Sequence, residues 1–198
     1  MTSLRHNDPQ ESPADAYLDA ARACILDVGW KRTTLTEVAK RAGVSRMTIY
    51  RTWADMPTLL SDLMTREWGR VVSTRVASRE GADAVEQVVE GVVAAVRSLR
   101  EDELFVRIVE IDPELVLPYL FARRGRSQDL LLDLLVPALE AGQRTGEVRQ
   151  APPVALARAL LLAVHGFVLS LHTMVDEQVD EAALLHELAH VVRAALRP

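Results

Sequence analysis

Residues 35–53 read LTEVAKRAGVSRMTIYRTW, and this stretch decides the fold of the N-terminal part of the chain. Its first, fourth and fifth residues are apolar and lie on one face of a short predicted helix. Gly43 ends that helix in a backbone conformation that glycine adopts without steric cost. Ser45 then caps a second short helix, which has Ile49 on its inner side. The small Ala39, the glycine four positions later and the apolar residue six positions after that form the helix-turn-helix pattern.

The outer face of the second short helix carries side chains that suit the major groove of DNA. Long cations, a hydroxyl and a phenol can meet base edges or phosphates there, and the residues are Arg46, Met47, Thr48, Tyr50 and Arg51. Thr34 or Thr36, at the N-terminal end of the first short helix, is placed to direct backbone N–H groups at a phosphate. The sequence therefore predicts that these seven residues contact DNA.

Basic residues are concentrated in the same region of the chain. Between Lys31 and Arg51, six lysines and arginines stand against Glu37 alone, whereas the whole chain has a net charge of −5. A local basic patch on an acidic protein indicates a confined anionic partner rather than general binding to polyanions. A solvated charged face would explain the charge alone, but its coincidence with the helix-turn-helix pattern favours DNA.

The remainder of the chain predicts an all-α fold. Hydrophobic residues make up 49% of the 198 residues and charged residues 26%, enough for a buried core. Apolar positions recur three and four residues apart, and strand-like alternation is rare. The first helix has Ser12 as its cap and a left-handed stop at Gly29, and Pro118 and Pro137 are expected to kink or restart their helices. The later helices are predicted at 83–100, 102–110, 114–122, 127–145, 152–173 and 180–196.

The run TTLTEVAKRAGVSRMTIYRTWADMPTLL at residues 33–60 closely resembles the N-terminal domain of the TetR/AcrR (tetracycline-repressor) family of transcriptional regulators. The resemblance covers roughly the first third of the chain and includes the pair Tyr50-x-x-Trp53. Beyond it, helix number, length and the stretch LLLAVHGFV at residues 160–168 are similar to the family. Two residues depart from its pattern. Met47 stands where the family usually has a small residue, and Met56 stands where it usually has a lysine that touches phosphate.

The resemblance implies a domain organisation and a mechanism. Residues 1–11 would be a flexible arm, 12–55 the helix-turn-helix DNA-binding domain, and 56–198 a ligand-binding and dimerisation domain. Two subunits would pair through their last two helices and place recognition helices on a near-palindromic duplex, with half-sites roughly 34–36 Å apart. A small-molecule effector of unknown identity would favour a conformation that releases DNA. This favours a repressor, while the sequence leaves repression and activation both open.

An effector pocket is expected in the C-terminal helices, although helical spacing does not separate pocket residues from ordinary core residues. His165 is a candidate polar anchor within an apolar helix. The other candidates are aromatic or apolar, namely Trp68, Phe105, Ile108, Tyr119, Phe121 and Leu134. Arg123, Arg124 and Arg126 form a second basic cluster, which is either a solvated loop or a site for an acidic effector.

A second function class rests on the sequence His186-Glu187-Leu188-Ala189-His190. On a helix this H-E-x-x-H motif is the signature of zinc proteases, in which both histidines bind the metal. A zinc enzyme needs a third protein ligand, and the eight residues after His190 contain no histidine or acidic side chain. A chance match is therefore favoured, and we expect no enzymatic activity, cofactor or metal. The third class is a helical ligand carrier that has lost DNA binding, for which Met47 and Met56 give slight support.

The sequence also predicts a cytoplasmic protein. Cys24 is the single cysteine, so an internal disulfide is excluded, and a lone thiol on an apolar helix face is usually a core residue. Residues 1–11 are polar and unlike a signal peptide. The apolar stretch at 159–171 is too short to span a bilayer, so we expect a helix buried in protein and no membrane partner.

Overall fold

All regular structure in the chain is helical as far as the structure describes it. The computed structural model describes residues 12–76 and 83–198, which contain ten α-helices and three short 3-10 turns without any strand. The predicted all-α fold is thus confirmed. The chain divides into two units, Met1–Leu63 and Met64–Pro198. The predicted arm at residues 1–11 lies outside the described residues.

The N-terminal unit contains three helices and the start of a fourth. These helices are α1 (Pro13–Val28), α2 (Leu35–Arg41), α3 (Arg46–Thr52) and α4 (Met56–Val76). Ser12 and Asp15 form a capping box at the start of α1, in which each backbone N–H donates to the other side chain, at 3.2 and 3.3 Å. Leu18, Ala21 and Ile25 lie on one face of α1 and are buried, so α1 packs this face into the core of the unit.

Gly29 ends α1 in a different way from the one expected. Its φ of +83° lies where glycine is favoured, but its ψ of 162° is extended rather than left-handed helical. The Gly29 N–H still donates to the Ile25 carbonyl at 2.9 Å, and the chain then enters a 3-10 turn at Trp30–Arg32. The prediction of a glycine stop is correct, whereas the predicted left-handed conformation is wrong because the chain leaves the helix in an extended direction.

The boundary between the two units falls later than the predicted division after residue 55. It lies after Leu63, inside α4. Leu59 and Leu63 are fully buried. Asp55 caps this helix, and its side chain accepts a hydrogen bond from the Thr58 N–H at 2.8 Å. The first two turns of α4 therefore belong to the N-terminal unit.

The second unit is built around one central helix. Its helices after α4 are α5 (Ala84–Glu101), α6 (Glu103–Ile111), α7 (Leu117–Phe121), α8 (Arg126–Thr145), α9 (Pro153–Ser170) and α10 (Glu181–Leu196). The helix α5 packs against α6, α8, α9 and α10. Val85, Val89, Val92 and Val96 recur at helical spacing and are buried. This spacing places the valines on one face of α5, so they form an apolar stripe directed into the core of the unit, while Gln87, Glu90 and Arg97 are exposed.

The prolines affect the helices of the second unit in different ways. The helix predicted at 114–122 is divided into a 3-10 turn at Pro113–Leu115 and the short α7. Pro118 lies in the first turn of α7, where its missing N–H removes no helical hydrogen bond, so the expected restart is confirmed. Pro137 lies inside α8, which continues through it and does not restart.

Ion pairs show that α10 runs antiparallel to α5. Arg193, near the end of α10, donates two hydrogen bonds of 2.7 and 2.8 Å to Glu86 in the first turn of α5. These bonds hold the pKa of Glu86 below its ordinary value. At the opposite end, Arg100 of α5 donates to Glu181 at the start of α10 at 3.3 Å. Partly exposed ion pairs contribute at most about 1 kcal/mol each to the free energy of unfolding. These pairs therefore indicate the direction of α10 but stabilise its packing only weakly.

The helix α9 has one buried face and one uncovered apolar face. The helical stretch Pro153–Met174 is long and apolar enough to cross a membrane by length and composition alone. It is longer than the stretch 159–171 that the sequence analysis considered too short for this. Leu156, Leu160 and Val168 are nevertheless part of the core of the second unit. Only 33% of the most apolar 18-residue window in this stretch is buried, and Leu162 is 70% exposed. Apolar side chains on α9, such as Leu162, are therefore left exposed by the rest of the second unit.

Gly142 in α8 is a position where one added carbon is expected to destabilise the second unit. A Cβ atom there would lie 2.5 Å from a Val148 methyl group and 3.0 Å from the Ala84 Cβ. Val148 is 1% exposed and has no space to move into. Overpacking of this kind costs about 1–3 kcal/mol, which outweighs the gain of up to about 1 kcal/mol that alanine brings to a helix. We therefore expect Gly142→Ala to unfold at a lower temperature than the natural protein.

The measurement is thermal unfolding followed by circular dichroism. Gly91→Ala in α5 is the matched control, because a Cβ there would meet nothing within 4 Å. The control is expected to keep or raise the unfolding temperature. Equal shifts in the two variants would contradict the packing seen around Gly142.

Candidate DNA-binding site

The turn between α2 and α3 is held by backbone hydrogen bonds around Gly43. The φ of Gly43 is +66°, in the left-handed region that disfavours other residues. Its N–H donates to the Lys40 carbonyl at 3.3 Å, and the Val44 N–H donates to the Ala39 carbonyl at 3.0 Å. These two bonds form the Schellman arrangement that ends a helix. Ala39 is 1% exposed, in agreement with the small residue that the motif requires.

The recognition helix α3 begins at a side-chain cap and has a buried inner side. The Ser45 hydroxyl oxygen accepts a hydrogen bond from the Thr48 N–H at 3.2 Å, as predicted for this cap. The hydroxyl groups of Ser45 and Thr48 also lie 2.9 Å apart and form a hydrogen bond. Ile49 is fully buried. The cap defines where α3 starts, and Ile49 defines which side of it faces the core.

Trp53 joins the end of α3 to two other helices of the N-terminal unit. It is 1% exposed. Its indole N–H donates to the Asp62 carboxylate of α4 at 2.9 Å, and its ring meets Tyr17 of α1 edge to face, with centroids 6.4 Å apart. A buried indole needs such an acceptor for its N–H. Trp53 therefore fixes the direction of α3 relative to α1 and to the start of α4.

The opposite side of α3 is exposed and carries four of the predicted contact residues. Met47 is 68% exposed and Tyr50 is 48% exposed, and Arg46 and Arg51 are also exposed. Neither arginine forms an ion pair with a carboxylate of the residues that the structure describes. Their charges are thus available to phosphates or base edges. Thr48 differs from these four residues, because it is half-buried and its hydroxyl is bonded to Ser45.

The start of α2 has its own partner in Glu37. Thr34 donates to the Glu37 carboxylate through its N–H at 3.0 Å and through its hydroxyl at 3.1 Å, and the Glu37 N–H donates back to the hydroxyl oxygen at 3.2 Å. The sequence signal for this capping box is the Thr-x-x-Glu spacing, which our sequence analysis did not use. A phosphate approaching Thr34 would meet the Glu37 carboxylate, whereas Thr36 is exposed.

Other charges of the basic patch are engaged within the unit. Arg41 forms an ion pair with Asp27 of α1, and this hydrogen bond raises the pKa of Arg41 above its ordinary value. The Arg32 side chain donates to the Val28 carbonyl at 2.9 Å. Cys24 is buried nearby, and burial raises the pKa of its thiol, as expected for a core cysteine. Some cations of the basic patch therefore stabilise the fold of the unit, whereas the exposed Arg46 and Arg51 on α3 are the ones placed to contact a partner.

The predicted pocket residues lie in different environments of the second unit. Phe105 and Ile108 are buried, and Tyr119 is half-buried with the Arg123 guanidinium 5.4 Å from its ring centroid. Phe121 and Leu134 are exposed, so they do not share the buried environment of the first two. The side chain of Trp68 lies outside the described residues.

His165 has a polar partner that sequence analysis missed. Its ring nitrogen Nε2 lies 3.1 Å from the side-chain nitrogen of Gln128, which also donates to the Tyr119 carbonyl at 3.4 Å. Gln128 is 5% exposed, and burial lowers the pKa of His165. The imidazole is therefore neutral near pH 7 and can accept the hydrogen bond. No signal in the sequence connects residues on two helices 37 positions apart.

The H-E-x-x-H residues do not form a metal centre with other side chains that the structure describes. His186, Glu187 and His190 are all exposed on α10. Within residues 12–76 and 83–198, no group of three or more histidine, cysteine, aspartate or glutamate side chains is arranged to hold a metal ion. The third ligand required by the zinc-hydrolase hypothesis is therefore not supplied by the described part of the chain.

The N-terminal unit is thus a helix-turn-helix DNA-binding domain, attached to a larger helical unit. Residues 18–63 match the family model described as bacterial regulatory proteins, tetR family. An uncharacterised HTH-type transcriptional regulator of Mycobacterium tuberculosis is 36% identical over 179 residues, covering 90% of this chain and 92% of that protein. The chain belongs to the TetR family of transcriptional regulators, as the motif in residues 33–60 predicted.

Two solved structures of transcriptional regulators share the fold over more than nine tenths of the chain. The TetR family repressor AlkX from Dietzia sp., implicated in n-alkane biodegradation, has a TM-score of 0.66 and 21% identity, covering 94% of this chain and 96% of its own. The transcriptional regulator FadR from Bacillus subtilis, in complex with stearoyl-CoA, has a TM-score of 0.63 and 18% identity, covering 91% and 97%. These similarities extend the family resemblance to the helices of the second unit.

Proposed function

We propose that this chain acts as a homodimeric repressor that binds a near-palindromic DNA duplex in the cytoplasm and releases it when a small molecule binds. The observation that carries the DNA-binding part is the exposed face of α3, where Arg46 and Arg51 have no carboxylate partner among the described residues. The AlkX repressor, with the same fold, supports repression as the mode of action.

The expected result for DNA binding is the enrichment of one palindrome from a pool of random duplexes. Arg46→Ala removes a cation from each recognition helix, and Tyr50→Ala removes an exposed phenol. We expect each variant to lose the enriched palindrome, with affinity reduced about tenfold or more, since a good base or phosphate contact contributes about 1–3 kcal/mol. Binding by the natural protein should also weaken steeply as the salt concentration rises.

Arg144→Ala is the matched control for this selection. Arg144 is an exposed arginine at the end of α8 in the second unit, so its loss changes the net charge equally without touching α3. The control should enrich the same palindrome as the natural protein. If no duplex is enriched at low salt, the proposed DNA binding is wrong.

The dimer is supported by apolar residues that α9 and α10 leave uncovered. Val154 and Leu162 of α9 are 46% and 70% exposed, and Val191 of α10 is 55% exposed. Small residues surround them on both helices, including Ala155 and Ala194. Exposed apolar residues on two helices that both pack on α5 suit self-association, because a twofold dimer covers the same surface on both copies.

Leu162→Glu tests the dimer directly. A carboxylate at this position would have to be buried without a partner, which costs several kcal/mol and should convert dimers to monomers. Sedimentation velocity measures the change, and affinity for a palindrome should fall with it. Ile111→Glu is the control, because Ile111 is 52% exposed on α6 and away from this face. A dimer that survives Leu162→Glu would contradict the proposed interface.

We propose a long-chain acyl-CoA as the effector class. FadR from Bacillus subtilis, which shares this fold, was solved in complex with stearoyl-CoA. In this chain, the buried Gln128 forms a hydrogen bond with the half-buried His165 on a helix that is otherwise largely apolar. The exposed arginines at 123, 124 and 126, of which Arg124 also pairs with Asp129 at 3.2 Å, are cations of the kind that bind the phosphates of such a ligand.

Stearoyl-CoA is expected to raise the unfolding temperature and to release the selected duplex. A ligand at 100 times its dissociation constant stabilises the folded state by about 2.7 kcal/mol. Free coenzyme A at the same concentration is the control and should do neither. Stabilisation without DNA release, or no stabilisation, would contradict this effector class.

A further inference from the structure

The recognition helix exposes one apolar side chain among polar ones. Met47 is 68% exposed, which makes it the most exposed large apolar residue in the described part of the N-terminal unit. It lies one position after Arg46, and Tyr50 and Arg51 follow it at three and four positions, on the same side of α3. An isolated apolar residue on a protein surface is common, but this one stands in the middle of the DNA-binding face.

The chemistry of the Met47 side chain limits what it can recognise on DNA. A thioether donates no hydrogen bond and is only a weak acceptor, so it pairs poorly with phosphates and with polar base edges. In the major groove, the apolar group presented by a base edge is the C5-methyl group of thymine. The flexible and polarisable methionine side chain is well suited to contact such a group.

The position of Met47 places it where recognition helices touch bases. Residues near the N-terminus of a recognition helix contact base edges, whereas those further along reach the backbone. Met47 is the second residue of α3. The nearby Thr48 is half-buried and its hydroxyl is bonded to Ser45, so it does not compete for the same base edge.

We propose that Met47 reads one thymine in each half-site by contact with its C5-methyl group. This inference rests on DNA binding through α3 and adds the base and the chemical group that are recognised there. It predicts that the enriched palindrome has a thymine at one fixed position of each half-site. Replacing that thymine by deoxyuridine removes the methyl group and leaves every hydrogen-bonding group of the base in place.

The experiment measures the affinity of the natural protein and of Met47→Ala for the selected duplex, with each thymine replaced in turn by deoxyuridine. Burial of one methyl group from water corresponds to about a fourfold change in affinity, or about 15-fold when both half-sites are changed. We expect this loss at one thymine per half-site for the natural protein. In Met47→Ala, replacement at that position should change affinity less than about twofold, because the contact is already absent.

Two further variants keep the test interpretable. Met47→Leu retains an apolar side chain and should retain sensitivity to deoxyuridine at the same position. Val28→Ala removes an apolar side chain that is 37% exposed on α1, and it should leave the sensitivity unchanged. Unfolding temperatures of all variants establish that each is folded.

The outcomes distinguish this inference from the DNA-binding function itself. If a palindrome is enriched but no thymine shows a loss, or if Met47→Ala keeps the full loss, the reading of thymine by Met47 is wrong and the DNA-binding function stands. If no duplex is enriched by the natural protein, the DNA-binding function and this inference are overturned together.

Discussion

The burial of Trp53 is the interaction on which the DNA-binding unit depends. The two short helices α2 and α3 have only seven residues each, too few to be stable alone in water. The hydrogen bond from the Trp53 indole to Asp62 and the edge contact with Tyr17 attach the end of α3 to longer helices. Gly43 supplies the turn that brings α3 across α2. Because these contacts hold the inner side of α3, the residues on its outer side are exposed and can contact a binding partner.

Some charged residues of the chain pair with each other and stabilise the fold, whereas other charged and apolar residues are exposed on surfaces that we propose to bind partners. In the N-terminal unit, Arg41 is paired with Asp27, whereas Arg46 and Arg51 have no carboxylate partner in the described residues. In the second unit, Arg100 at the end of α5 pairs with Glu181 at the start of α10. Arg193 near the end of α10 pairs with Glu86 at the start of α5, so the two helices are antiparallel. The apolar residues left exposed on α9 and α10 are the surface that we propose to bind a second copy of the chain. In this proposal, one unit contacts DNA through charged residues and the other contacts the second copy through apolar residues.

The parts predicted from the sequence are those with local signals. The caps at Ser12, Ser45 and Asp55 bond to groups three residues away, and the Gly43 turn depends on one residue type, so short patterns identify them. The burial of Trp53 against Asp62 and the pairing of Gln128 with His165 join different helices, and nothing in the local sequence indicates them. The conformation of Gly29 was predicted wrongly, because glycine permits a positive φ but the residue type does not determine ψ. Exposure of Phe121 and Leu134 likewise depends on packing that helical spacing does not describe.

The most direct test of the account is hydrogen–deuterium exchange of the protein with and without a saturating selected duplex. In our proposal, α3, oriented by Trp53, is the element that enters the groove. This proposal predicts slower amide exchange across residues 45–53 when DNA is bound, and unchanged exchange in the arginine-containing segment at 123–126 of the second unit. Unchanged exchange in α3, with protection of residues 123–126 instead, would contradict it.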